Sequence, residues 1–294
     1  MKFGVSTYSL LPAIRSGEMS IMDVIDWIAD NGGEHMEIVP YGFTLEGDDE
    51  LADAVRKRAE AAGIHLSNYS MPANFVQESK EAFDAEMERV KRHVDTVHRL
   101  GIKHMRHDVT AFMLPPEKTG IDYVEDHIEQ IVNGCRHIAD YAARYGITTT
   151  IENHGVSVQA SDRVQRVLNA VDRPNFKTTL DIGNFLCVDE QPLVGVKRNL
   201  PYASLIHVKD FYYRPYDQDP GGGRWFRTSH GNYLRGAIFG QGDLDVRRIL
   251  RLIKESGYDG FITLEFEGME DCREGTRLGL ENLKRLWDEI ESLP

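Results

Sequence analysis

The chain is poor in cysteine. Three of its 294 residues are Cys (Cys135, Cys187 and Cys272), an odd number at wide spacings with no CxxC pair. That composition excludes a disulfide framework and argues against a thiolate zinc site. Cys187 reads as a small hydrophobe just beyond a strand. Long apolar runs are also missing, so no segment reaches the roughly 20 residues a membrane helix needs. The opening "MKFGVSTYSL" has one lysine and goes straight into a strand-like pattern. It lacks the apolar stretch and cleavage site of a signal peptide, and a cytoplasmic location is the expectation. A dense block of Lys and Arg is absent too, and the net charge is −13. Binding to nucleic acid through its phosphates is therefore not expected. Acidity suits a bound cation or a neutral substrate. No glycine-rich phosphate fingerprint follows the first strand, and no Pro/Ser-rich linker divides the chain, so residues 1–294 read as one domain.

What is present is a repeated grammar. An amphipathic helical segment ends in Gly and an apolar strand follows, in "DNGGEHMEIV", "AAGIHLSNYS", "RLGIKHMRHDV", "RYGITTTIENH" and "ESGYDGFITLEFEG". Gly just past a helix accepts the left-handed conformation found there. Apolar stripes at helical spacing fill the intervals: Ile21, Val24, Ile25 and Ile28 after a cap at Ser20; Phe83, Met87, Val90, Val94 and Val97; Val124, Ile128, Ile131, Cys135 and Ile138. Two more run over 243–256 and 274–290. These stripes are core faces. Strands start near Lys2, His35, Ile64, Lys103, Thr148, Lys177, Ala203 and Gly260. Eight βα units in this length predict an α/β fold, the (β/α)8 TIM barrel.

Four strands carry a polar group where an apolar one is expected. Side chains alternate across a strand. In "TTTIENH", Ile151 faces outward while Thr150, Glu152 and His154 face the barrel axis. In "TTLDIGN", Asp181 faces inward between Leu180 and Ile182. In "SLIHVKDF", His207 and Lys209 face inward, and in "FITLEFEG" so do Thr263, Glu265 and Glu267. All lie toward C-terminal strand ends, where barrel enzymes keep their active sites. Three acids and one imidazole converging there need a counter-charge that Lys209 alone does not supply. One divalent cation held by Glu152, Asp181, His207 and Glu265 does. The hard donor set favours Mn2+, with Mg2+, Co2+ and Zn2+ possible.

At these residues the chain resembles the xylose isomerase-like superfamily, and within it the sugar phosphate isomerase/epimerase group. The resemblance runs from "KFGVSTYSL" to "GLENLKRL". It implies that the quartet binds one divalent metal and that Glu152 and Glu265 move the proton between the faces of a substrate carbon. It implies a carbohydrate or polyol-derived substrate and a metal-stabilised enediolate. The sugar epimerases of this group carry His, Glu and Arg where this chain has Asn184, Val158 and Tyr213. The metal set is kept and the residues that orient the sugar are not. "HVKD" is similar to inosose dehydratase, so a dehydratase or other lyase is the alternative; a non-catalytic carbohydrate-binding subunit is a third reading. Endonuclease IV shares the barrel but uses more histidines, and the acidity of this chain counts against it.

Further candidates surround the quartet. Arg106, His107 and Asp108 end the fourth strand, where they either reach the site or form a salt-bridged strand end. His154, Asn184 and Lys209 are candidate substrate contacts. Glu37 faces the barrel or makes a structural hydrogen bond. His93, His98, His127 and His137 fall on helices and read as surface residues. The connection 212–242 exceeds the ~12–15 residues typical of structureless loops. Its triple glycine Gly221–Gly223, with Trp225 and Phe226 beside it, predicts an ordered flap whose Arg224, Arg227 and His230 meet the substrate. Exposed aromatics also suit a contact between copies, in a homo-oligomer.

Overall fold

The computed structural model describes residues 1–112, 114, 115 and 118–291, so residues 292–294 of the expected domain lie outside the described ones. The strands are β1 (Lys2–Ser6), β2 (His35–Ile38), β3 (His65–Met71), β4 (His104–His107), β5 (Thr148–Glu152), β6 (Phe176–Asp181), β7 (Ala203–Val208), β8 (Asp210–Arg214), β9 (Phe226–Arg227), β10 (Tyr233–Ala237) and β11 (Phe261–Leu264). Eight of them close a parallel barrel in the order β1-β11-β7-β6-β5-β4-β3-β2. Around it run α1 (Leu11–Arg15), α2 (Ile21–Asp30), α3 (Asp49–Ala62), α4 (Lys80–Arg99), α5 (Ile121–Ala143), α6 (Ser161–Val171), α7 (Pro192–Asn199), α8 (Val246–Glu255) and α9 (Cys272–Glu291). The (β/α)8 expectation holds. Among the described residues no helix is long and apolar enough to cross a membrane.

The local signals act as read. Gly32, Gly63, Gly101, Gly146 and Gly257 all sit in the left-handed region, with φ between 65 and 76°. Ser20 caps α2 in a reciprocal box: its Oγ accepts from Asp23 N (3.2 Å) and its own N donates to Asp23 Oδ2 (2.8 Å). Such a cap is worth about 1 kcal/mol. The outward strand residues Ile151, Leu180, Ile206, Val208, Ile262 and Leu264 are buried under the helices. The barrel interior is polar, as in the Thr150–Thr179 hydroxyl pair at 2.8 Å. One expectation fails. His93 lies on α4 but is tucked inward, its Nδ1 3.0 Å from Tyr69 OH. Buried Tyr69 needs a partner for its hydroxyl, and His93 supplies one.

The long connection is a three-stranded antiparallel sheet in the order β8-β10-β9. Arg235 lies between the rings of Tyr212 and Trp225, 4.8 and 4.9 Å from their centroids. Asp210 ties the two ends of the insert together by accepting from Gly240 N (3.0 Å), Gly242 N (2.9 Å) and Leu244 N (3.2 Å). Gly242 is needed there, because a Cβ would meet Asp210 Oδ1 at 2.2 Å.

Candidate functional site

The quartet converges. One ligand atom each from Glu152, Asp181, His207 and Glu265 lies within 4.8 Å of the others. Glu152 and Asp181 are the last residues of β5 and β6, His207 lies in β7, and Glu265 directly follows β11. The shared register of parallel strands brings them to one level: Asp181 pairs with His207, and Thr263, two residues before Glu265, also pairs with His207.

Each donor is oriented by a separate set of contacts. Asp181 Oδ1 accepts from Gly183 N and Asn184 N, both at 2.7 Å. Gly183 also leaves room for Lys209, whose Cγ would lie 2.7 Å from a Cβ there. His207 Nε2 lies 2.5 Å from Glu37 Oε2, while its Nδ1 faces Glu152 Oε1 (3.5 Å) and Glu265 Oε1 (3.6 Å). Glu37 is itself held by Asn68 Nδ2 (3.1 Å) and by the Ser70 hydroxyl. Arg106 Nε reaches Glu152 Oε2 (3.0 Å) and its Nη2 reaches Asp108 (2.7 Å). Lys209 Nζ lies 3.2 Å from Asp181, 2.8 Å from Glu265 and 2.7 Å from Glu267. The sequence had allowed for one cation; barrel closure adds Arg106 as a second.

Charge and orphaned atoms both fit a divalent ion. Among the described residues, the ion pairs that Asp108, Glu152, Asp181, Glu265 and Glu267 make with permanent cations go to Arg106 and Lys209. His207 Nδ1 is buried and makes no hydrogen bond, Asp181 Oδ2 has beside it the Lys209 ammonium at 3.2 Å and makes no hydrogen bond either, and both belong to the convergent set. Buried polar atoms ordinarily find partners, and a cation among these four supplies one. Burial pushes Asp181 up to about 6, Lys209 pulls it back, and Glu152 and Glu265 add to the rise. Burial also opposes the charge on Glu152, but Arg106 and His207 hold its carboxyl well below the usual range. Lys209 and His207 likewise hold Glu265 down against burial.

Glu152, His207 and Glu265 open into a cavity of about 500 Å3 at the C-terminal barrel mouth, with Asp181 buried behind them. Its walls include four expected contacts, Arg106, His154, Asn184 and Lys209, and Arg227 of the insert. Asn184 Nδ2 donates to Glu152 Oε1 (3.0 Å). His154 lies between Asp108 Oδ1 (3.2 Å) and the Phe112 ring. His107 does not join them. It is fully buried outside the barrel lumen, its ring 5.2 Å from Phe75, with Nδ1 2.9 Å from Asp108 O. Alternation accounts for this, since Arg106 turns inward and its neighbour must turn out. Of the expected flap contacts, His230 is instead exposed and paired with Asp189 (2.9 Å), and Arg224 is not in the wall.

Tyr8, in the single 3-10 turn after β1, and Tyr41, on the loop after β2, also line the cavity, with no period to reveal them. Burial and Glu267 push Tyr8 up to about 12, leaving a protonated hydroxyl over the site. Burial raises the Cys187 thiol to about 12, so it lines the cavity as an inert small group. Val156, at the lip, is held at φ 47° and donates its N–H to Gln159 Oε1 (2.8 Å).

Known proteins resemble the chain in sequence and in fold. It is 26% identical over 192 residues to an inosose dehydratase of Lacticaseibacillus casei, a match spanning 60% of this chain and 61% of that relative. A D-psicose 3-epimerase structure superposes with TM-score 0.73 at 17% identity, covering 98% of this chain and 99% of that one. The IOLI protein with a bound zinc atom superposes with TM-score 0.74 at 17% identity, covering all of both chains. Residues 25–286 match the family described as xylose isomerase-like TIM barrel, and the chain belongs to that family.

Proposed function

We propose that the chain is an isomerase or epimerase of a sugar or polyol-derived carbonyl compound, using one divalent cation held by Glu152, Asp181, His207 and Glu265. The observation that carries this reading is the near-mirror placement of two glutamates about His207, at 3.5 and 3.6 Å from Nδ1. Each has its own cation, Arg106 for Glu152 and Lys209 for Glu265. A carbon between two such groups can lose a proton to the one that is ionised and gain another from its partner when that partner is protonated. The bound ion supplies Lewis-acid polarisation of the substrate carbonyl. Three oxygens and one imidazole suit Mn2+, while the zinc in the IOLI structure keeps Zn2+ open. Lys209, Arg106, His154 and Asn184 are placed to orient substrate hydroxyls. The Tyr8 hydroxyl and the Lys209 ammonium are placed to donate hydrogen bonds to oxygens.

A dehydratase is the second reading, favoured by the inosose dehydratase among the sequence relatives. Both reactions begin with the same proton removal and differ in whether a neighbouring hydroxyl then leaves. A sugar and inosose panel in D2O with Mn2+ separates them by NMR. Isomerisation or epimerisation places deuterium on carbon without loss of water; dehydration yields an unsaturated carbonyl with new ultraviolet absorbance. Glu265→Gln should slow exchange by about 10²–10⁴-fold. Exchange at the wild-type rate in that variant would overturn the two-glutamate scheme. Sugar binding without any exchange would leave only a carbohydrate-binding subunit.

A further inference from the structure

We infer that the outer half of the cavity is a second subsite, which takes a ring-bearing substituent joined to the reacting sugar through a glycosidic oxygen. The inference rests on the carbohydrate reading of the metal end and adds a substrate class to it, a glycoside rather than a free monosaccharide. The cavity of about 500 Å3 is one continuous space. That volume falls among the ~300–1,000 Å3 sites that enclose drug-sized ligands, and a single sugar ring chelated among the carboxylates leaves much of it vacant.

The two ends of the space differ in chemistry. The inner end holds Glu152, His207, Glu265 and Lys209. The outer end is carried by the loops after β4 and β5 and by the insert after β7, and there the wall turns aromatic. Phe112 is 53% exposed and lays one face on the His154 ring, at 4.7 Å and 18°. Phe226 is 41% exposed and stands edge-on to Phe211, at 5.8 Å and 77°. β4 and β7 are separated by β5 and β6 in the barrel, so the two rings come from well-separated walls of one mouth.

A phenylalanine left half bare forgoes part of its burial free energy, and two at one mouth mark a surface that gains by being covered. Thr228, Ser229 and Arg227 stand beside Phe226 in the same wall. Aromatic faces with a few placed polar groups suit a ring that is apolar on its faces and hydroxylated or planar at its edge. Continuity with the metal end fixes the attachment, because the occupant must be tethered to the ring held there.

The reacting sugar of a glycoside must carry its carbonyl as a ring ketone, so the test uses the full chain loaded with Mn2+ and, as probes in calorimetric titrations, the 3-keto forms of D-glucose, methyl β-D-glucopyranoside, phenyl β-D-glucopyranoside and cellobiose. The phenyl or cellobiose probe should bind about tenfold more tightly than the methyl probe, a gain typical of one aromatic contact. Whichever of the two gains more identifies the substituent as aromatic or saccharide. The Phe112→Ala/Phe226→Ala double variant should reduce that probe to the methyl probe's affinity, and Phe226→Tyr should keep the gain. Both side chains are exposed, and a thermal melt checks that the double variant folds. Equal affinity for methyl, phenyl and disaccharide probes overturns the subsite alone. Failure of every probe, glucose included, in a chain that still binds Mn2+ overturns the carbohydrate reading and the subsite with it.

Discussion

Glu37 on β2 grips His207 on β7 across the barrel, carboxylate Oε2 to imidazole Nε2 at 2.5 Å. A neutral His207 that keeps its proton on Nε2, toward Glu37, would present the Nδ1 lone pair to the space shared with Glu152 and Glu265. Carboxylates in this position raise the basicity of a ligating imidazole and fix its angle. Glu37→Gln keeps the size of the side chain but cannot accept through both oxygens. It should lower Mn2+ or Zn2+ affinity by about 10–100-fold in calorimetric titration. Undiminished affinity would mean that Glu37 only fills the barrel.

A cation that binds the folded chain alone must also stabilise it. At a free concentration of about a hundred times its dissociation constant, the gain is about 2.7 kcal/mol. Mn2+ should therefore raise the melting temperature, and EDTA should reverse the rise. His207→Ala removes one ligand and leaves the buried carboxylates uncompensated, so its melting point should no longer respond to the ion. A shift of equal size in that variant would place the cation elsewhere.

Three buried histidines make stability depend on pH. Burial lowers His35 to about 3, and lowers His93 and His107 to about 4, from the ordinary 6.5. Between about 4 and 6.5 these three rings bind more protons in the unfolded chain than in the folded one, while Asp181 and Asp210, pushed up to about 6 by burial, bind more in the folded chain and oppose them. The histidine contribution is fully present above pH 6.5 and is lost as pH falls toward 4. Each histidine accounts for up to about 1.4 kcal/mol per pH unit in that window. The comparison isolates one ring: from pH 7.5 to pH 5 the urea midpoint of the parent chain should lose more, or gain less, than that of His93→Gln. The same pH slope in His93→Gln as in the parent chain would show that this ring protonates without cost in the folded state. Carboxylates with lowered pKa act below this window.

The quartet could be read from sequence because strand alternation is rigid. Once Ile151, Leu180 and Ile206 face the helices, Glu152, Asp181 and His207 face the axis. The same rule would have turned His107 outward beside Arg106, a distinction that grouping the three residues 106–108 obscured. The role of Glu37 was not legible, because β2 meets β7 only through the closed barrel, and no local pattern encodes a contact across 170 residues. Tyr41 and Phe112 lie on loops and Tyr8 in a single 3-10 turn, where neither period 2 nor period 3.6 applies. The insert lacked a helical stripe and was read as ordered, yet its strand order β8-β10-β9 needs the Arg235 stack and the Asp210 clasp, which only the folded chain displays.

Asp189 pins the free end of that insert against the barrel. Its Oδ2 accepts from His230 N and lies 2.9 Å from His230 Nδ1, while its Oδ1 accepts from Asn232 Nδ2 at 2.8 Å. Ser229 N adds a bond to Cys187 O at 2.9 Å. These contacts set Thr228 and Ser229 into the cavity wall. Asp189 itself sits at φ 58°, a conformation that Gly adopts without penalty. Asp189→Gly therefore deletes the latch while sparing the backbone. The tip should then open locally, since local opening follows the loss of the few bonds that hold a segment. Trypsin should cut after Arg224 or Arg227 about tenfold faster than in the parent chain, while the melting temperature of the barrel changes little, as expected for a local opening. Cleavage at the parent rate would show that the Arg235 stack and the β8–β10 pairing hold the insert closed without Asp189.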